Sequence, residues 1–135
     1  MRKYFATLAV TVAVAAAAGL VTAPLEAARP SGEERLAKLI EGRVAGEARN
    51  CIFTPGNANL TVIDKTAIVY KAGGKVWVNR TANPEQIDDD DILVIRRFSG
   101  SSLCRQDIIT LADRSTGMFT GVLFLEDFVP YEKAG

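Results

Sequence analysis

The chain has 135 residues, with 16 basic and 16 acidic side chains, two cysteines and no histidine. A charge so balanced provides no global field to draw in nucleic acid or an anionic membrane. The missing histidine rules out Ser-His-Asp and Cys-His catalysis.

Met1-Arg2-Lys3 followed by the apolar run at residues 8–21 is the pattern of a secretory signal peptide. The run falls short of the roughly 20 apolar residues that span a bilayer, so cleavage is expected rather than anchoring. Val21-Thr22-Ala23 has suitably small residues, but Pro24 follows at once. Cuts after Ala27 or Ala28 place Leu25 or Glu26 at a normally small position. We assign residues 1–28 to the signal segment, 29–48 to a helix and linker, and 49–135 to an antiparallel β-domain. Cleavage after Ala28 leaves 135 − 28 = 107 residues, enough for one modest core. The expected compartment is the periplasm or the exterior, with no membrane span after cleavage.

Residues 31–42 (SGEERLAKLIEG) predict the one helix. Ser31 suits the N-cap, Glu33 and Glu34 suit the positive end of the dipole, and Gly42 can end the element. Leu36, Leu39 and Ile40 form a narrow apolar stripe that should dock on one side or end of a sheet.

Beyond the helix the rhythm changes to short strands, predicted at residues 49–54, 59–63, 66–71, 75–79, 92–98, 107–112 and 118–125. The breaks contain Pro55-Gly56, Asp64-Lys65, Gly73-Gly74, Asn83-Pro84, Ser99-Gly100 and Ser115-Thr116-Gly117, all suited to turning. Most connections are too short for parallel crossovers, so neighbours should be antiparallel.

The organising unit is the hairpin at residues 67–80, AIVYKAGGKVWVNR. With Gly73-Gly74 as a two-residue turn, Tyr70 falls opposite Trp77 and Val69 opposite Val78. One face then carries Ile68, Tyr70 and Trp77; the other carries Val69, Val76 and Val78. A ribbon apolar on both faces needs cover on both. The same argument makes ILVI at residues 92–95 and VLFL at residues 122–125 central, covered strands.

In an exported chain, Cys51 and Cys104 read as one disulfide. Cys51 lies on the first strand and Cys104 just before the sixth, so the bond should bring a late strand beside an early one. The expected fold is mainly β: a small antiparallel meander forming a partly closed barrel, or a sandwich, with the N-terminal helix packed on it.

Candidate chemistry is sparse. In Asp88-Asp89-Asp90-Asp91, adjacent carboxylates diverge and the calcium-loop glycine and distal glutamate are missing. Asp88 and Asp90 are the weak metal candidates; the plainer expectation is a solvated loop that guards the next strand. Ser99, Ser101 or Ser102 with a lysine, or residues 88–91 with Asp107 or Glu126, would be needed for a hydrolase. Asn59-Leu60-Thr61 and Asn79-Arg80-Thr81 match the glycosylation pattern. Tyr70, Trp77, Phe98, Phe119 and Phe124 could line a ligand pocket but read more simply as core. Tyr70, Trp77, Arg80, Arg96, Arg97 and Arg105 are the candidate ligand or partner surface, although Arg96 and Arg97, adjacent on a strand, should point to opposite faces.

Cys51, AIVY at residues 67–70, VNR at residues 78–80, Asp91-Ile92, LCRQD at residues 103–107 and DFVPY at residues 127–131 together resemble small exported proteobacterial proteins grouped as domains of unknown function. The resemblance implies an exported all-β domain with paired cysteines and carries no activity, cofactor or catalytic residue. The expected role is a non-enzymatic envelope binding or structural module whose partner is an envelope protein or a glycan. No cofactor is expected. The alternatives are a small envelope-acting hydrolase using carboxylate or serine groups, and a carrier of a small apolar ligand near Trp77.

Overall fold

The structure is a computed structural model that describes Gly19 and residues 29–55, 59–98 and 100–135. Apart from Gly19, the expected signal segment lies outside the described residues. No helix among the described residues is long and apolar enough to cross a membrane.

Helix α1 (Gly32–Ile40) begins where its sequence says it should. The Ser31 hydroxyl accepts from the Glu34 amide at 3.2 Å, and the Glu34 carboxylate accepts from the Ser31 amide at 3.3 Å, the reciprocal arrangement of a capping box. Gly32 is needed for close approach. A Cβ there would lie 1.9 Å from the Thr66 hydroxyl and 2.5 Å from the Asp64 carbonyl oxygen, so the first helical turn sits directly on the turn between the strands β3 (Leu60–Ile63) and β4 (Ala67–Ala72).

β4 turns through Gly73 and Gly74 into β5 (Lys75–Asn79). Both glycines have positive φ, at 57° and 78°, as a type I′ turn requires. Tyr70 pairs with Trp77 and Val69 with Val78, the register expected from the sequence. β3 pairs with β4 on one side. On the other side β5 pairs with β10 (Val129–Lys133), and β10 pairs with β1 (Arg43–Ala45), giving a five-stranded antiparallel sheet. A three-stranded sheet is built from β6 (Asp91–Arg96), β8 (Ile108–Asp113) and β9 (Phe119–Phe124), with β8 in the middle. A short ladder joins β2 (Cys51–Phe53) to β7 (Ser102–Cys104).

Both faces of the hairpin are covered. Val69, Val76 and Val78 pack with Leu36, Leu39 and Ile40 of α1. Ile68, Tyr70 and Trp77 pack with Ile52, Leu103, Ile109, Leu111 and Leu123 from the other two sheets. The protein is therefore layered: helix, five-stranded sheet, then the smaller sheets. Among the described residues no sheet closes on itself, since the larger ends at β1 and β3 and the smaller at β6 and β9. The pairing thus stops short of the expected barrel.

Cys51 and Cys104 form the predicted disulfide, and they stand directly opposite each other in the β2 and β7 ladder, Cα atoms 4.0 Å apart. The Arg105 amide bonds to the Asn50 carbonyl at 2.8 Å and the Thr54 amide to the Ser101 carbonyl at 2.8 Å. Those flanking bonds make Cys51 and Cys104 a non-hydrogen-bonded pair, the closer kind of cross-strand neighbour. The bond joins the first predicted strand to a segment just before the sixth, as expected. Its ladder is a separate short sheet, not the seam of a barrel.

Candidate functional site

The smaller sheet exposes one face. Its inner side sends Leu93, Ile95, Ile109, Leu111 and Leu123 into the core. Its outer side follows from the register. Ile92 pairs with Ala112, and Ala112 with Phe119; Val94 pairs with Thr110, and Thr110 with Val122; Arg96 pairs with Ile108, and Ile108 with Phe124. These three rows form a surface on which only Thr110 and Arg96 are polar. Ile92, Val94 and Ile108 are 41–45 % exposed, Phe124 is 54 % exposed and Phe119 67 %.

A register shift in β9 between the partners of Leu111 and Ala112 sets up this arrangement. It lets Phe119 turn outward while the Thr120 hydroxyl donates to the half-hidden Asp91 carboxylate at 2.6 Å, the re-aiming of side chains that a β-bulge brings about. The outer edge of β9 is held by the connection between β5 and β6. The Asn83 amide group donates to the Val122 carbonyl at 2.7 Å and its side-chain oxygen accepts from the Phe124 amide at 3.0 Å. At one end of the sheet, the Asp113 carboxylate accepts from the amides and hydroxyls of Ser115 and Thr116 at 2.7–3.0 Å. Those bonds, led by the Ser115 hydroxyl, hold its pKa down at about 2.

This arrangement corrects two expectations. ILVI and VLFL are not doubly covered, because β6 and β9 are the edges of a small sheet with only one packed face. Phe119 and Phe124 are neither core nor pocket lining, and Phe98 is also exposed. Lack of alternation signals burial on two faces only where a second layer exists. Here the described residues supply none.

The other candidates are used up locally. The Arg80 guanidinium binds Glu33 at 2.8 Å and holds that carboxyl below its ordinary range, while Glu33 raises Arg80 in return. Arg105 reaches Glu126 and Asp127, each at 3.3 Å, and Arg97 donates to the Thr54 carbonyl. Arg96 lies on the open face and has no ion-pair partner among the described residues.

Asp107 is buried, and its two oxygens accept from the Phe98 amide at 3.2 Å and the Cys104 amide at 2.7 Å. It organises the loop beside the disulfide, so the cleft that a carboxylate hydrolase would place there is replaced by backbone contacts. Ser101 lends its carbonyl to Thr54, and Ser99 lies outside the described residues. Asn79 is fully buried, donating to the Glu126 carbonyl at 2.6 Å and accepting from the Thr81 and Glu126 amides at 3.0 Å each. Its amide is a structural tie, which removes it as a glycan acceptor.

Of the acidic run, Asp88 and Asp89 come together with Asp64, their carboxylate oxygens within 4.8 Å of one another, and Asp89 is paired with Arg35 at 3.2 Å. Asp90 stands outside this group and Asp91 turns into the sheet, so the two weak metal candidates, Asp88 and Asp90, are separated. Trp77 borders a surface cleft of about 320 Å³ shared with Val44, Glu47, Arg49 and Pro130. The Lys75 ammonium sits 5.8 Å from the Trp77 ring centroid and is itself bound to Glu132 at 2.9 Å. The cleft has a charged rim and opens to solvent, unlike the interior chamber that an apolar-ligand carrier needs.

No family model, curated protein or solved structure matches this chain.

Proposed function

We propose that this protein is an exported, non-enzymatic binding module of the cell envelope, and that it binds through the outer face of β6, β8 and β9. The observation that carries the reading is the apolar surface of Ile92, Val94, Ile108, Phe119, Val122 and Phe124, interrupted only by Thr110 and Arg96. Monomeric soluble proteins rarely leave such a face open, and contiguous apolar patches mark interaction sites. Export is supported by the basic head and apolar run of the N-terminal segment and by the formed disulfide. The resemblance to small exported proteobacterial proteins fits the same picture.

A protein partner suits this face better than a glycan, since Thr110 and Arg96 are its only polar side chains. The hydrolase alternative loses its best carboxylate, because Asp107 is buried with both oxygens engaged.

The test places a photo-cross-linking residue at Thr110, in the middle row, or at Lys71, an exposed position of β4 in the other sheet. Irradiation of producing cells should give an adduct from position 110 and none from position 71. Equal yields, or none from position 110, would remove the reading.

A further inference from the structure

We propose that the occupant of this face is a second copy of the same chain, related by a two-fold axis running along the middle row of Val94, Thr110 and Val122. The proposal rests on reading this face as the binding surface and goes further by naming what covers it.

Three features support a self-complementary match. The first is shape. Rotation about that axis lays each outer row over the opposite outer row of the other copy. Ala112 then faces Ile108, a small residue against a large one, and Phe119 faces Phe124. The two sheets would stack at about 10 Å with their strands antiparallel, the spacing of packed sheets. An isologous interface requires that residue i meets j while j meets i, and the register of these rows satisfies it.

The second feature is charge. Asp90 just precedes β6 and Arg96 ends it, roughly 20 Å apart along an extended strand. Neither side chain has an ion-pair partner among the described residues. The two-fold arrangement lays the Arg96 of each copy over Ile92 of the other, its stem on the apolar side chain and its guanidinium reaching toward Asp90 two residues further along, so that the ion pair forms twice.

The third feature is area. At their observed exposures, the apolar side chains of the face present roughly 450 Å² per copy. Two copies therefore bury at most about 900 Å², the small end of protein contacts, which describes a weak, concentration-dependent dimer. A lipid surface is the less suitable occupant. Asp88, Asp89, Asp90 and Asp113 outnumber Arg114 and Arg35 at one end of the sheet, where an anionic membrane would favour a basic excess.

The experiment is sedimentation analysis of the protein as recovered from producing cells, over a wide concentration range. Wild type should pass reversibly from monomer to dimer. Phe124→Asp should raise the dimer dissociation constant by about 10-fold or more. Arg96→Asp and Asp90→Arg should each weaken the dimer, and the chain carrying both should recover it, a rescue that a fold defect cannot imitate. A Thr110→Cys chain treated with a bismaleimide should give a product of twice the chain mass.

A monomer at every concentration overturns the proposal, as does a dimer indifferent to Phe124→Asp or a doubly swapped chain no better than the singles. If the chain stays monomeric but binds phosphatidylglycerol vesicles, or cross-links from position 110 to a different protein, the second copy is wrong. The face would then stand as a binding surface with another occupant.

Discussion

Ile108 on β8 and Phe124 on β9 stand opposite each other and face solvent, although their chain neighbours Ile109 and Leu123, also paired, are fully buried. One step along either strand thus moves from a sealed core to an open apolar surface. The protein's stability resides on one side of this sheet, and its proposed binding resides on the other.

That division separates two adjacent substitutions. Leu123→Ala removes a fully buried side chain and should cost about 2–5 kcal/mol. Phe124→Ser acts on the exposed face and should change stability by less than about 1 kcal/mol. Urea unfolding of both variants checks this, and equal losses would mean that Phe124 is packed in the monomer.

Reduction of the Cys51–Cys104 bond should be costly. The ladder it joins pairs only Cys51, Ile52 and Phe53 with Cys104, Leu103 and Ser102, too short to persist by itself. Replacing both cysteines by serine should lower stability by about 2–5 kcal/mol. Denaturant midpoints with and without reductant measure the effect.

Asp107→Ala should destabilise the protein by about 1–3 kcal/mol, because it removes the buried carboxylate that accepts from the Phe98 and Cys104 amides. A fully stable Asp107→Ala protein would show that the carboxylate is not structural and would reopen the hydrolase alternative. Chemical denaturation combined with a hydrolase screen distinguishes the two.

Asp113 makes the hairpin between β8 and β9 sensitive to strong acid. Its pKa is depressed in the folded chain, from an ordinary value near 3.8 to about 2. Its stabilising contribution is therefore complete above about pH 4 and is lost as pH falls through about 2. Carboxyl carbon shifts should show Asp113 titrating near 2, with the Ser115 and Thr116 amides moving in step. A midpoint near 3.8 would contradict the four hydrogen bonds that define this turn.

Much of the fold was legible because local chemistry and long-range packing agree. The glycine pair fixes the register of β4 and β5, Ser31 and Glu34 fix the start of α1, and two cysteines leave one pairing within the chain. β1 and β10 were missed because their signals are weak. β1 has only Arg43, Val44 and Ala45, and β10 contains Pro130, which ordinarily argues against a strand between two others. Pro130 is tolerated because its carbonyl, which accepts from the Gly46 amide at 2.7 Å, points past the end of β1. The missing N–H faces that same side, opposite Gly46, so it costs one bond to the continuation of β1 toward the Arg49–Phe128 bridge and none to β5.

The open apolar face was hidden for a different reason. Ile92, Val94, Ile108, Phe119 and Phe124 are the residue types of a core, and sequence pattern cannot tell a covered apolar face from an open one. Only the pairing of three strands shows that no second layer of the described residues lies over them. Asp107 and Asn79 were obscured likewise, since their partners are backbone groups, near in sequence for Asp107 and split between Thr81 and the distant Glu126 for Asn79, that no residue pattern marks.

Hydroxyl-radical footprinting of Phe119 and Phe124 tests the central claim most directly, comparing intact producing cells with dilute purified protein. Both rings should be oxidised readily in dilute solution and be shielded in the cell, with Phe53, exposed elsewhere, reacting alike in both. Undiminished oxidation of Phe119 and Phe124 in the cell would mean that nothing covers this face, and the account would fail.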